Sequence, residues 1–507
     1  MQSKTYDKSY DYEEDKVDGI DYDIVNIFEL ETLQELRIDT DFRNAVTVTL
    51  LDGFAEVFGA ELPPNTPIYY AKGSKFAIFT WHHAKIQVIG KTEDSYLSKE
   101  TRMKEYIELH SHIQEERDNN MRERKPGPNV LICGESNSGK STLCKILTNY
   151  GLKMGFRPIL IDLDIENNMI VPPGCIGASR PKVNVPSDDL TEDTICYFYG
   201  LRASKMDGKL YKRQVSELAG CVNKKILNKE EEMKKELFDM VHTKEDPSKM
   251  AHMKSIFTDF STSKLPVELA SGCIINSMVV GSEPSERTVR FLADAFKISY
   301  IIVMESERTY IKLRECFQES SSIKIVKLPK SPGVAILDEA NRRKATNYFF
   351  KNYFYGELNS AKALSPSFLN NLDTFEVGLK LDEYKLYTYE LVKIPLSALP
   401  HGSKEEVNKI FVKKVDPEQM ELQDRVVGVL DPVNVELLEK YEEEIEEGEN
   451  SNKEEFYDIL ISSVCRSLIH ISYYDPANNQ LIANATSPEG PKSKYLIVKD
   501  LVYEKKL

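Results

Sequence analysis

At 507 residues and 58.0 kDa the chain exceeds what one hydrophobic core supports, so two to four domains are expected. A formal charge of −15, from 81 acidic against 66 basic side chains, argues against holding nucleic acid by bulk attraction and leaves only a local basic groove for such contact. The 8 cysteines form no CxxC pair and no zinc-like cluster with the histidines; with no basic-then-apolar leader and no apolar run of spanning length, the expectation is a reduced, intracellular protein with no membrane contact.

In chain order, residues 1–22 are acidic, tyrosine-rich and without apolar periodicity, the pattern of a disordered tail. From 28 to 90, short alternating segments such as AVTVTLLDG and AKIQVIG are punctuated by turn residues about every ten positions, which predicts a small antiparallel β-sandwich or barrel. Residues 99–124 read as a charged helix leading into 128–142, PNVLICGESNSGKST. There an apolar run (Val130, Leu131, Ile132) feeds Gly134, four further residues and then Gly139, Lys140 and Ser141, the GxxxxGK[ST] phosphate loop, and Leu143, Ile146, Leu147 and Tyr150 continue at helical spacing. Glycines let successive N–H groups turn toward a polyphosphate, and the helix N-terminus adds partial positive charge. Lys140 would reach the β and γ phosphates and Ser141 would offer its hydroxyl to Mg²⁺. A chance glycine turn satisfies the same pattern, but not with a strand before it and a helix after it.

Residues 157–164 form a buried-strand pattern that ends in acid, placing Asp164 where phosphoryl-transfer enzymes hold Mg²⁺ or accept the proton of an attacking hydroxyl. Asp162 shares its face of the strand and is the second candidate. Residues 180–220 are poorly patterned, and 224–240 read as a Lys/Glu helix with solvated faces. Further apolar strands at 272–280, 300–304 and 323–328 alternate with helices at 287–296 and 311–317, predicting a mostly parallel sheet with ligand at its C-terminal edge. Arg342, Arg343 and Lys344 lie on a helix that reads either as a lid bringing cations to a triphosphate or as a solvated basic face. From about 364 the text returns to short strands, interrupted by an acidic run over 436–455 that reads as a disordered or solvated helical insertion. His110 and His112, two apart, point to different faces of a helix, which argues against a shared metal. The single tryptophan, Trp81, reads as core packing.

The runs FELETLQELRIDT, DGFAEVFGAEL and KGSKFAIFTWHHAKIQVIG, the phosphate loop, SGCIIN at 271–276, LPKSPGV at 328–334 and NYFYG at 352–356 together resemble the polynucleotide 5′-hydroxyl-kinase family. More narrowly, they resemble its branch that serves as the kinase-like subunit of the mRNA cleavage and polyadenylation factor, cleavage factor IA in fungi. The resemblance implies a multidomain α/β plus β chain: an acidic tail over 1–22, an N-terminal β-sandwich with its linker helix over 23–120, a P-loop polynucleotide-kinase-like domain over 121–363 and a C-terminal β-rich domain over 364–507. It further implies that ATP and Mg²⁺ are bound by Glu35 and Lys75 near the base and by Asn137, Ser138, Gly139, Lys140, Ser141 and Thr142 around the phosphates, with Ser141 on the metal. Without the family, Glu35 and Lys75 are strand charges facing water.

Four departures from the active members stand out. Asp164-Ile165-Glu166-Asn167 replaces their Asp-x-Gly-Gln, and Val280 stands where a tryptophan stacks on the terminal base. Arg342 and Arg343 match the first lid arginine but the second falls near Thr346, a neutral residue, and Leu201-Arg202 follows Phe198-Tyr199-Gly200 in place of polar residues. A lid arginine contributes several powers of ten to phosphoryl transfer and a stacking residue about 1–3 kcal/mol per base. The expectation is therefore an ATP-binding, non-catalytic structural subunit of the nuclear mRNA 3′-end cleavage and polyadenylation complex. Its implied partners are the cleavage factor IA scaffold subunit and other 3′-end processing subunits, with direct RNA contact left open. The alternative is an active RNA 5′-hydroxyl kinase with Asp164 as base and Arg343 on the lid; a nucleotide-hydrolysing switch is disfavoured, since no residue is placed to orient water.

Overall fold

The computed structural model describes residues 19–181, 194–202, 208–242, 265–278, 285–320, 322–355, 375–393, 408–447 and 452–503. The expected tail lies outside them apart from its last few residues. By contact, residues 19–57 with 62–99 form one unit, and residues 58–61 with the described residues from 100 onward form a second.

The first unit is a β-sandwich of two antiparallel sheets, as its alternating text predicts. One holds Val25–Leu30, Ala84–Ile89, Val46–Gly53 and Ile68–Tyr70 in that order; the other aligns Glu56–Val57, Lys75–Phe79, Glu35–Asp39 and Asp94–Ser98. Along Ala84–Ile89 every second side chain (Ala84, Ile86, Val88) is buried and Lys85 and Gln87 face outward, the period of two that a one-sided strand requires.

The second unit is built on a seven-stranded mixed sheet in the order Ile195–Phe198, Cys175–Ser179, Ile159–Asp162, Cys273–Asn276, Asn129–Gly134, Tyr300–Met304 and Lys324–Leu328. The last five run parallel, as expected, while Cys175–Ser179 and Ile195–Phe198 add antiparallel at the other end. Both antiparallel strands fall beside or within the stretch that looked poorly patterned. They are short and buried on both faces, so they carry neither alternation nor helical spacing. Asn129–Gly134 is buried at every position, matching its continuous apolar run. Register does the positioning: Ile132 pairs with Asn276 and Asn276 with Asp162, so three strand ends open together beside the phosphate loop.

Around this sheet lie the helices Met103–Glu123, Lys140–Lys153, Gly208–His242, Glu286–Phe296, Glu307–Cys316 and the lid helix Glu339–Tyr355. Gly208–His242 spans the expected Lys/Glu helix and begins with buried Leu210, Tyr211, Val215 and Leu218; the side chains expected to be solvated lie mostly outside the described residues.

The C-terminal part is a seven-stranded sheet, antiparallel except where Lys385–Lys393 pairs with Tyr495–Val502. The acidic run is folded where it is described. Helices Val435–Glu446 and Lys453–Ser462 occupy it, and Glu442, 4% exposed, accepts hydrogen bonds from the Tyr387 hydroxyl and Lys385. Buried Tyr387 and half-buried Lys385 on the neighbouring strand hold Glu442, so the segment is helical, as one of the two readings had it, but not wholly solvated. The lid helix is moored to this sheet: the Tyr353 hydroxyl accepts from the Leu468 N–H (3.2 Å), and the Tyr355 hydroxyl meets His470 Nδ1 and Asn484 Nδ2, each at 2.9 Å. No helix among the described residues is long and apolar enough to cross a membrane.

Candidate active site

The phosphate loop leaves its strand at Gly134, whose φ of 155° and tight surroundings require glycine: an added Cβ would lie 2.8 Å from Met304 Cβ and 2.9 Å from Ser138 Oγ. Asn137 (φ 58°) and Gly139 (φ 89°) continue the curl in the left-handed region. Gly139 caps helix Lys140–Lys153 without a side-chain hydrogen bond, so the first helical N–H groups are free of a capping side chain, the arrangement that receives an anion. The Ser138 hydroxyl, 3% exposed, has no hydrogen-bond partner among the described residues. Lys140 is buried, and its ammonium donates to the carbonyls of Gly134 (3.2 Å) and Glu135 (2.7 Å). Burial lowers its pKa, and the nearby Asp164 opposes that shift. Thr142 follows, half-buried, in the first turn.

Beside the loop runs a polar relay. Asn276 Nδ2 donates to Ser141 Oγ at 3.3 Å and to Asp162 Oδ1 at 2.9 Å. Asp162 is fully buried; its Oδ1 also accepts the N–H of Asp164 and its Oδ2 the N–H of Met169, both at 2.9 Å. Burial pushes its pKa up to about 7, the Asp164 carboxylate adds to the rise, and these hydrogen bonds partly offset it. Asp164 is half-buried, with Oδ1 taking the N–H groups of Glu166 (2.9 Å) and Asn167 (3.2 Å). Asn168 fixes the turn by donating to the carbonyls of Asp162 (3.1 Å) and Asp164 (2.9 Å).

From the lid helix, Arg342 comes down onto the loop. Its guanidinium donates to Ser136 Oγ, to Asn137 Oδ1 at 3.1 Å and to the Leu337 carbonyl at 3.2 Å, and it lies 3.7 Å from Glu166 Oε2. Arg343 pairs with Glu339 at 2.8 Å on the solvent side. Thr346 lies one turn beyond Arg342 and is half-buried, while Val280 lies outside the described residues. In the N-terminal unit, Glu35 is buried and accepts from Arg37 Nε at 2.9 Å, and Lys75 pairs with Asp39 at 2.5 Å across the adjacent strand. Asn276 and Glu166 escape a reading of the residues alone, because an Asn at a strand end and a Glu in a turn are common and their partners lie far away in sequence. His110 is buried, its pKa lowered to about 4 by burial and Arg117, and no cluster of three or more His, Cys, Asp or Glu side chains arranged to hold a metal occurs among the described residues.

A phosphate loop at the C-terminal edge of a mostly parallel sheet, with a buried carboxylate behind it and a lid arginine over it, defines a P-loop nucleotide-binding protein of kinase-like build. Residues 29–120 match the model for the N-terminal beta-sandwich domain of polyadenylation factor, and 134–238 with 241–356 match that for the mRNA cleavage and polyadenylation factor CLP1 P-loop. The chain belongs to the CLP1 family. It is 32% identical to the protein CLP1 homolog of Nematostella vectensis over 402 residues, covering 77% of this chain and 81% of the relative. It is 28% identical to the polyribonucleotide 5′-hydroxyl-kinase Clp1 of Homo sapiens over 393 residues, with the same coverage. The Arabidopsis thaliana protein CLP1 homolog is 28% identical over 488 residues, 94% of this chain and 93% of that one. The wild-type Clp1p–Pcf11p (454–563) complex shares the fold with TM-score 0.68 at 18% identity, covering 96% of this chain and 99% of that chain.

These relatives correct the expectation of a non-catalytic subunit. The human and Gallus gallus proteins are named polyribonucleotide 5′-hydroxyl-kinases, which points to an enzyme. The departures at Glu166 and Thr346 weighed too heavily in that expectation, because Arg342 still brings a cation to the loop that holds Lys140.

Proposed function

We propose that the chain binds ATP with Mg²⁺ and transfers its terminal phosphoryl group to the 5′-hydroxyl of a polyribonucleotide, working in the nucleus within the mRNA 3′-end cleavage and polyadenylation machinery. The observation that carries this reading is the Ser141–Asn276–Asp162 relay beside a glycine-lined loop whose Ser138 hydroxyl is buried without a partner. The donor set fits the groups it would take. Lys140 and the loop N–H groups would hold the phosphates, and Ser141 with Asp162 behind it would hold Mg²⁺, which supplies a Lewis-acid clamp on phosphate oxygens. Arg342, held on the loop by Ser136 and Asn137, would neutralise charge on a migrating phosphoryl group. Asp164, with Oδ1 tied to two backbone N–H groups, has Oδ2 to accept the proton of the attacking hydroxyl. Arg343, expected on the lid, pairs instead with Glu339 on the solvent side, so Arg342 takes the lid role in this reading. Glu35 and Lys75 are proposed as contacts to the base, on family resemblance.

The kinase names of the relatives support the reaction, and the Clp1p–Pcf11p complex supports a Pcf11-like scaffold as partner. The test is label transfer from γ-labelled ATP to a 5′-hydroxyl oligoribonucleotide by the purified chain. Wild type should transfer, and Lys140→Ala should lose on the order of 100-fold, the scale of one lost electrostatic donor. Absence of transfer by wild type, or equal transfer by the two, overturns the reading.

A further inference from the structure

Arg342 approaches the phosphate loop already paired. Its guanidinium lies between the loop's own acceptors, Ser136 Oγ and Asn137 Oδ1, and the carboxylate of Glu166, 3.7 Å away in the turn after Asp164. Both ends of the pair are held. The lid helix is moored by Tyr353 and Tyr355 to the C-terminal sheet, and the Glu166 backbone N–H is bound by Asp164 Oδ1. The Arg342 and Glu166 side chains are 21% and 26% exposed, so the attraction is only partly screened by water. A guanidinium fork matches carboxylate and phosphate oxygens alike, so the two anions compete for it.

We propose that Glu166 is a positioning residue that holds Arg342 over the phosphate loop as its counter-ion and gives it up to the terminal phosphate of a bound triphosphate, so that this exchange separates triphosphate from diphosphate. The proposal rests on the nucleotide reading above and adds to it a named competitor for the lid cation. A diphosphate ends short of the lid and leaves the Glu166–Arg342 pair intact. A triphosphate must displace Glu166, and its affinity carries that cost.

The test is calorimetric titration of the full chain with the non-hydrolysable ATP analogue AMP-PNP and with ADP, each with Mg²⁺. The proteins are wild type, Glu166→Gln, Arg342→Gln and the double variant. Glu166→Gln should tighten AMP-PNP by about 2- to 5-fold, the scale of one partly exposed ion pair, and leave ADP unchanged. In the Arg342→Gln background the same substitution should have no effect on AMP-PNP. Unchanged or weaker AMP-PNP binding by Glu166→Gln overturns the proposal. An equal gain for ADP, or a gain that persists without Arg342, also overturns it, since simple repulsion between Glu166 and phosphate would then explain the effect. Lys140→Ala, run alongside, separates the two levels: nucleotide binding that ignores Lys140 sinks the phosphate-loop reading itself, whereas Lys140-dependent binding with no Glu166 effect sinks only the exchange.

Discussion

Asp162 illustrates how burial sets the charge of one carboxyl beside the phosphate loop. Its carboxyl titrates near 7 because burial penalises the charged form and Asp164 adds like charge. A carboxyl raised above its unfolded value near 4 stabilises the fold while protonated; that contribution is complete below about pH 4 and is lost as pH rises through about 7. The protein without nucleotide should therefore melt at lower temperature as pH goes from 5 to 8, and Asp162→Asn should flatten that slope, as scanning fluorimetry would show. At the proposed Mg²⁺ site the sign is opposite, because only the carboxylate would favour the metal. Affinity for Mg²⁺ with nucleotide should rise through about pH 7 with proton uptake by buffer, read from calorimetry in buffers of different ionisation enthalpy. Pairing Ser141 with Asp162 through Asn276 required the sheet register, since 114 positions separate Asp162 from Asn276 in the chain.

At the scale of elements, helix Glu307–Cys316 follows strand Tyr300–Met304 of the central sheet after only two residues, so its start must be well defined. Ser306 defines it: its hydroxyl accepts the N–H of Thr309 at 3.2 Å, satisfying one of the orphan donors of the first turn, and Glu307 adds negative charge at the positive end of the helix. Ser306→Ala should cost about 1 kcal/mol, seen as faster amide exchange in this helix, with helix Glu286–Phe296, capped by its own Ser285, unaffected. The apolar spacing alone places this helix at 311–317 and misses its first turn, which the Ser306 cap sets. The lid helix is different: its sequence left a lid and a solvated basic face equally open. The structure divides the two, since Arg342 turns to the loop while Arg343 pairs with Glu339 on the outside.

For the molecule as a whole, the central sheet and the C-terminal sheet share packing that no local pattern announces. Gly428 on strand Arg425–Asp431 lies against Phe198 at the end of the central sheet, and a Cβ there would sit 2.6 Å from the Phe198 ring. Neither side can yield easily, because Phe198 is 1% exposed and Gly428 is paired to strands on both sides. Gly428→Ala should destabilise by about 1–3 kcal/mol, the usual cost of overpacking, and make the C-terminal sheet sensitive to protease at lower temperature. The lid helix is anchored in that sheet, so the same variant should also loosen Arg342 and lower nucleotide affinity; proteolysis and titration of the one variant check both.

Local text determined the elements whose physics is local. Alternation over residues 28 to 90 specified a small antiparallel sandwich or barrel, and the glycine-lysine-serine loop between an apolar strand and a helical run specified the phosphate-loop core. Solved structures of similar fold and the matched family models agree with that architecture. Tertiary structure decided the rest. Which of two neighbouring aspartates is buried, which of two neighbouring arginines meets the loop, and that Glu166 stands against Arg342 all depend on strand register and on helix ends moored far away in sequence. Hydrogen bonds and ion pairs act over a few ångströms, so the partners of a polar side chain become definite only once the fold has brought distant segments together.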